Sequence, residues 1–198
     1  MNRDRRTALT VAAALVGWSF TAGLAIPGRR GVQAGLAGAL ARRAGVRAQP
    51  GRGAAHGAVA AAVLALGVAA STALPAVREG MRQRELPRPT WRWLAVDIPV
   101  GTVWSEEAAY RGALATYAAR GFGPRWGKVL QATAFGLSHI ADARAAGEPV
   151  AGTVLITGLA GWVFATLAER SGSLLAPALV HLAVNEAGAI AALVVQRR

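Results

Sequence analysis

Cysteine is absent from the chain. Its absence excludes disulfides and thiolate metal sites and leaves the redox compartment open. Charge is scarce as well: charged residues make up 16%, against about a quarter in ordinary soluble domains. The scarcity is one-sided, with 10 Asp and Glu against 22 Lys and Arg and a net charge of +12. Lysine is almost missing too. Lys128 is the sole example, so the cations are arginines. There is no internal repeat and no β-type alternation. No basic helix carries interleaved aromatics and no nucleic-acid motif is present, so the positive charge is not read as a nucleic-acid surface.

What fills the chain is apolar. Hydrophobic residues make up 54%, yet mean hydropathy is only +0.35 because the apolar stretches are built from Ala and Gly as much as from Leu and Val. Small residues suit close helix packing in lipid, where van der Waals contact does much of the holding together. The arginines gather between these stretches, at Arg3–Arg6, Arg29–Arg52, Arg78–Arg92 and Arg197–Arg198. Loops beside anionic headgroups have this pattern.

The 198 residues are enough for a bundle of several spanning helices. Thr7–Ile26 is 20 uncharged residues, enough to cross a core of about 30 Å. Arg5 and Arg6 before it give a signal-like layout, but the run is long for a signal core, Gly23–Leu24–Ala25 is a poor cleavage site, and a retained first helix is expected. Gly31–Leu40 is apolar but short, which fits an interfacial or re-entrant helix, and Gln49–Gly53 reads as a loop. Further spans are expected at Ala54–Val77, from Trp91 into the Glu106–Arg111 cluster, at Trp126–Ala141, at Pro149–Ala168 and at Leu174–Val195. A charged loop is expected over Arg78–Arg92, a turn at Gly121–Pro124, a polar loop at Asp142–Glu148 and a tight turn at Glu169–Ser173. The expected fold is all-α, a polytopic transmembrane bundle of about six spans. Residues 1–92 would supply N-terminal helices and basic loops and residues 93–198 a catalytic core, in one integrated membrane domain. The tryptophans lie mostly near predicted span ends and are read as ordinary interfacial anchors. An even span count puts both termini on one side, and the Arg and Lys counts then balance, so charge does not set the orientation.

Ionisable groups inside spans are costly and mark cavities or bundle interiors. They fall here into three short motifs. In Glu106-Glu107-Ala108-Ala109-Tyr110-Arg111, the spacing of four lets Arg111 hold Glu107 on one helix face. Glu106 points elsewhere and is free to face a cavity as a general base for water. An interfacial salt-bridge cluster explains the same residues equally well. In Phe135-Gly136-Leu137-Ser138-His139, Phe135 and His139 lie one turn apart and Gly136 would admit a neighbouring helix. His139 suits metal, water or proton transfer, although a lone buried histidine is more often just hydrogen-bonded. In His181-Leu182-Ala183-Val184-Asn185 both polar side chains share a face. Two donors there would stabilise an oxyanion, each worth roughly 3 kcal/mol; a plain interhelical clamp of about 1 kcal/mol is the alternative. Together the three motifs outweigh each alone, because a purely structural bundle has no need of so many costly groups. His56 and Asp97 have no partner visible in the sequence, and Glu186 faces away from Asn185.

The order E-E-x-x-x-R, F-x-x-x-H, H-x-x-x-N resembles the CPBP family, also called Abi, of CAAX-protease and bacteriocin-processing intramembrane endopeptidases. Tyr110-Arg111-Gly112 looks like the end of the family's first motif, and Ser171-Gly172-Ser173-Leu174-Leu175-Ala176-Pro177 looks like the run before its last. The resemblance covers roughly Trp93 to Ala191, and the N-terminal third matches only as generic membrane helix. It implies peptide-bond hydrolysis within the bilayer, with Glu106 and His139 activating water, His181 and Asn185 forming the oxyanion site, and Glu107, Arg111 and Phe135 in support. Membrane lipid and a peptide or lipidated protein are the implied partners. No metal is favoured, because Arg111 already compensates charge and no third strong ligand is evident; zinc on Glu106, His139 and His181 is the variant held beside it. A non-catalytic membrane protein, such as a bacteriocin-immunity factor or scaffold, is the alternative from another class. A transporter would need repeat halves or a discontinuous helix pair, and neither is visible. The Ala-, Gly- and Arg-rich composition suggests a bacterial G+C-rich genome, hence a bacterial plasma membrane, and counts against prenylated substrates relative to pro-bacteriocins and other membrane peptides.

Overall fold

A computed structural model of the chain describes residues 2–46 and 53–197. Every regular element in them is helical. In order they are α1 (Arg3–Ser19), α2 (Arg29–Arg43), α3 (Ala54–Ser71), α4 (Pro75–Gln83), α5 (Thr90–Arg92), the π-helical stretches π1 (Trp93–Trp104) and π2 (Glu107–Leu114), α6 (Ala115–Phe122), α7 (Pro124–Leu137), α8 (Ile140–Ala146), α9 (Val150–Ser171) and α10 (Leu175–Gln196). The loop expected at Gln49–Gly53 lies, but for Gly53, outside the described residues.

The all-α bundle is as the sequence predicts, but the count of spans is corrected from about six to three. Among the described residues only α3, α9 and α10 are both long and apolar enough to cross a membrane. The physical reasons differ by segment. The first helix stops at Ser19, before the Pro27–Gly28 break, because side chains take over its last carbonyls. Ser19 Oγ donates to Val16 O at 2.7 Å, and the Arg29 guanidinium donates to Trp18 O at 2.9 Å and to Thr21 O at 2.7 Å. Such caps end a helix by satisfying its orphan groups. The fourth predicted span is broken at Ser138–His139, as described below. Residues Thr90–Phe122 form a continuous helical run, but long parts of it are π-helical, and its polar cluster is packed inside the bundle. Pro99 sits inside π1 and lacks an N–H to donate.

Two further expectations change. The charged segment Arg78–Arg92 is not all loop, since α4 continues to Gln83 and is tied to the end of α10 by Gln196 Nε2, which donates to Met81 O and Arg84 O at 2.9 and 2.7 Å. Likewise most of Asp142–Glu148 is the helix α8. The short apolar segment near Gly31–Leu40 is a 15-residue helix whose Ala34, Ala37 and Ala41 are buried, and it packs on π1 and π2.

Packing around the site is close because small residues meet. A Cβ on Gly136 would lie 2.6 Å from Val154 O, and a Cβ on Gly57 would lie 2.8 Å from Ala176 Cα. Glycine at these two points lets α7 approach α9 and α3 approach α10, as in small-residue contacts between membrane helices. The main core gathers Ala8, Ala108, Ala113, Leu114, Ala118 and Phe135, from α1, π2, α6 and α7. By contrast the outward faces are apolar: Val59, Val63, Leu64 and Leu66 on α3 and Leu155, Ile156, Leu159 and Val163 on α9 are exposed. Water would not tolerate such contiguous faces, whereas acyl chains would.

Candidate functional site

The site is built where π2, α7, α9 and α10 meet. π-helical turns widen the helix and are frequent at functional positions, and Glu107 opens π2. Its side chain is 1% exposed and carries two partners. Arg111 Nε lies 3.4 Å from Glu107 Oε2, the pairing that their spacing predicts. His181 Nδ1, coming from α10, lies 2.8 Å from Glu107 Oε1. With Glu107 ionised this nitrogen is the donor, so the carboxylate orients the ring. The other ring nitrogen, His181 Nε2, faces Glu106 Oε2 at 3.8 Å. The Glu106 side chain is 20% exposed, while its Oε2 is buried with no hydrogen-bond partner in the protein.

Arg111 is held by faces rather than by hydrogen bonds. Its guanidinium stacks 3.9 Å from the Phe135 ring centre and 4.9 Å from that of Phe164. Guanidinium on aromatic faces is a favourable cation–π arrangement, stronger when desolvated. Phe164 also lies over His181, with ring centres 5.2 Å apart. Tyr110 meets Phe135 edge-on at 5.1 Å. Phe135 is thus the hub: it touches Arg111, Tyr110, His139 at 4.8 Å and His181 at 6.3 Å.

His139 is not within a helix, contrary to the expectation of a continuous span. It sits in the turn between α7 and α8. The cause is local competition for one carbonyl. Phe135 O accepts from Ser138 Oγ at 2.8 Å and from the His139 ring Nδ1 at 2.7 Å. The His139 backbone N–H shifts to Gly136 O, one residue short of the α-helical partner. Side chains that bond the backbone in this way end helices. A carbonyl only accepts, so His139 Nδ1 carries the proton and neutral His139 keeps a free lone pair on Nε2. Asn185 Nδ2 donates to His181 O, one turn back, at 3.0 Å, which leaves its second amide N–H.

Glu106, Glu107, Arg111 and His181 therefore meet directly. His139 joins them through Phe135, and Asn185 stands one turn along from His181. Sequence reasoning missed Phe164, which lies in an uncharged run with no spacing signal, and it missed the partners of Asp97. Asp97 is buried and ion-paired with Arg30, and Arg92 Nε lies 3.7 Å from it, so two arginines from separate segments neutralise one interior carboxylate. His56 is exposed on α3. Among the described residues no three His, Asp or Glu side chains are gathered to hold a cation.

A helical bundle with apolar outer faces, enclosing two carboxylates, an arginine and two imidazoles, defines a membrane protein with a buried polar centre. Residues 88–187, just over half of the chain and all four site helices up to Ala187, match the family model described as Rce1-like, type II CAAX prenyl endopeptidase. The chain belongs to this family of membrane-embedded proteases. No curated protein and no solved structure matches it.

Proposed function

We propose that the protein cleaves peptide bonds inside the membrane with a water held between Glu106 and His139. The observation that carries the reading is the cluster of Glu106, Glu107, Arg111 and His181 within one hydrogen-bonded or ion-paired group. With both ring nitrogens donating, His181 reaches both carboxylates, while Arg111 pairs with Glu107. Glu106 Oε2 accepts no hydrogen bond from the protein, and His139 offers Nε2 as acceptor. Water would give its proton to Glu106 as the oxygen attacks the carbonyl carbon. The oxyanion would take hydrogen bonds from His181 Nε2–H and the second Asn185 amide N–H, each worth roughly 3 kcal/mol. Glu106 would then return its proton to the leaving amine while the water's second proton stays on the new acid, so the products are a carboxylic acid and an amine.

The substrate is read as a membrane-associated peptide or lipidated protein, and the composition favours a bacterial plasma membrane as the location. The test uses purified full-length protein in detergent with internally quenched lipopeptides. Glu106→Gln is expected to lower turnover by at least about a hundred-fold, with an unchanged unfolding temperature. Full activity in that variant defeats the assignment. Metal analysis separates the zinc-dependent version: stoichiometric metal lost on His139→Ala together with activity would replace this mechanism with that one.

A further inference from the structure

A hollow lies away from the polar centre, between the C-terminal parts of α3 and α10. It is a groove of about 340 Å³. Ala69 lines it from α3, and Ala187, Ile190, Ala191 and Val194 line it from α10. From Ala187 to Val194 the wall runs roughly 10 Å along the helix axis. The alanines leave the space that larger side chains would fill. Ala69, Ile190 and Val194 are exposed, so the groove opens on the apolar outer surface of two spanning helices.

Arg78 of α4 is the charged group on this wall. On α4, Val77, Arg78 and Met81 are half-buried, whereas Glu79, Gly80, Arg82 and Gln83 are exposed. Arg78 is therefore turned toward the bundle rather than away from it. The adjacent carboxylate is already taken: Glu79 lies 3.6 Å from Arg82 and accepts from Gln83 Nε2 at 2.8 Å. Among the described residues the Arg78 guanidinium has no ion pair, hydrogen bond or ring partner. An unpaired cation beside an apolar wall is costly unless an anion meets it. Arg78 follows the end of the α3 span at Ser71, the depth at which lipid phosphates lie. Around it, residues 78–92 carry five arginines and two glutamates.

We propose that the groove holds one anionic phospholipid, with an acyl chain along α10 from Ala187 to Val194 and the phosphate on Arg78. A phosphate presents oxygens that match the guanidinium fork. A zwitterionic lipid has the same phosphate, but its cationic end would meet the surplus of arginines. A second copy of this chain fits less well, since a symmetric contact would set those arginines against each other.

The test is native mass spectrometry of the purified full-length protein in detergent, with equimolar phosphatidylglycerol and phosphatidylcholine of identical acyl chains. One phosphatidylglycerol is expected to be retained, preferred by at least about five-fold, the contribution of one arginine near the headgroups. Arg78→Gln should abolish the preference and Arg78→Lys should keep most of it. Arg144→Gln, an exposed arginine on α8, should leave it unchanged. Ala191→Leu fills the groove without touching the charge, and should lower phosphatidylglycerol retention at least about five-fold; it also serves if Arg78→Gln fails to fold. Equal retention of the two lipids by the unaltered protein overturns the proposal. So does a preference that survives in Arg78→Gln, or unchanged retention in Ala191→Leu. Displacement of the lipid by inorganic phosphate would make this a free-phosphate site instead, and a dimer lost in Ala191→Leu would make it an interface between copies. No turnover is involved, so the outcome is separate from that of Glu106→Gln.

Discussion

A carbonyl oxygen has no proton to give, and from that the state of His139 follows: Nδ1 donates to Phe135 O, and Nε2 is left to accept. The same reasoning applies to Arg111, whose Nε faces Glu107 while aromatic rings cover its flat faces. Removing the cation would strand a carboxylate that is 1% exposed. Arg111→Leu is therefore expected to destabilise the fold by about 3–5 kcal/mol, the usual cost of breaking one side of a buried pair. Arg111→Lys should fall between, keeping the charge but losing the planar stacking. The double variant Glu107→Gln/Arg111→Leu should lose less than the sum of its parts, because neither partner is then stranded. Thermal unfolding in one detergent checks all three, and additive losses would show that the pair is not coupled. The Glu107–Arg111 contact was legible in the sequence because four residues make one turn. The contact of His181 with Glu107 was not, since no local spacing links positions on two distant helices. Phe164 gave no signal at all, being one apolar residue in an uncharged run.

At the scale of elements, the site depends on two departures from the straight α-helix that periodicity assumes. π1 and π2 lie around Glu106, and α7 ends one residue before the Ser138–His139 turn. Neither departure is visible in hydropathy, which is why a continuous fourth span was expected. The signals were chemical instead: Ser138 and His139 are side chains able to bond Phe135 O, and Pro99 withholds a donor. Gly136 was legible as a point of close approach, and it is where α7 meets α9. Its Cβ position lies 2.6 Å from Val154 O and 3.2 Å from Gly158 Cα, both backbone atoms that cannot swing aside. Gly136→Ala is expected to cost about 1–3 kcal/mol, the range for overpacking a filled contact. It should also lower turnover, because Phe135 precedes Gly136 in α7 and His139 follows in the turn that ends that helix. An unchanged unfolding temperature in Gly136→Ala would mean that the two helices are not held this closely.

Over the whole molecule, the division of labour is between a lipid-facing shell and a polar interior. α3 has 6% of its span window buried, α9 17% and α10 28%, so burial rises toward the helix that carries His181. An α3 of 18 residues is about 27 Å long, close to the hydrocarbon thickness of about 30 Å. The sequence overcounted spans because apolar length alone does not say whether a run stays straight or faces lipid. Thr7–Ile26 is apolar throughout, yet the helix stops at Ser19 where side chains and Arg29 take its carbonyls. If α3 does lie against acyl chains, a charge at its midpoint should oppose insertion far more than one on α4, which has no buried residue. Val63 is 63% exposed near the middle of α3. Val63→Arg is expected to cost about 2.5–3.5 kcal/mol of insertion free energy, while Gln83→Arg on α4 should be neutral. The fraction of each protein resisting alkaline extraction from membranes measures the difference. Equal extraction of the two variants would show that α3 is covered by protein or water, and the bundle would then have to be oriented differently in the bilayer.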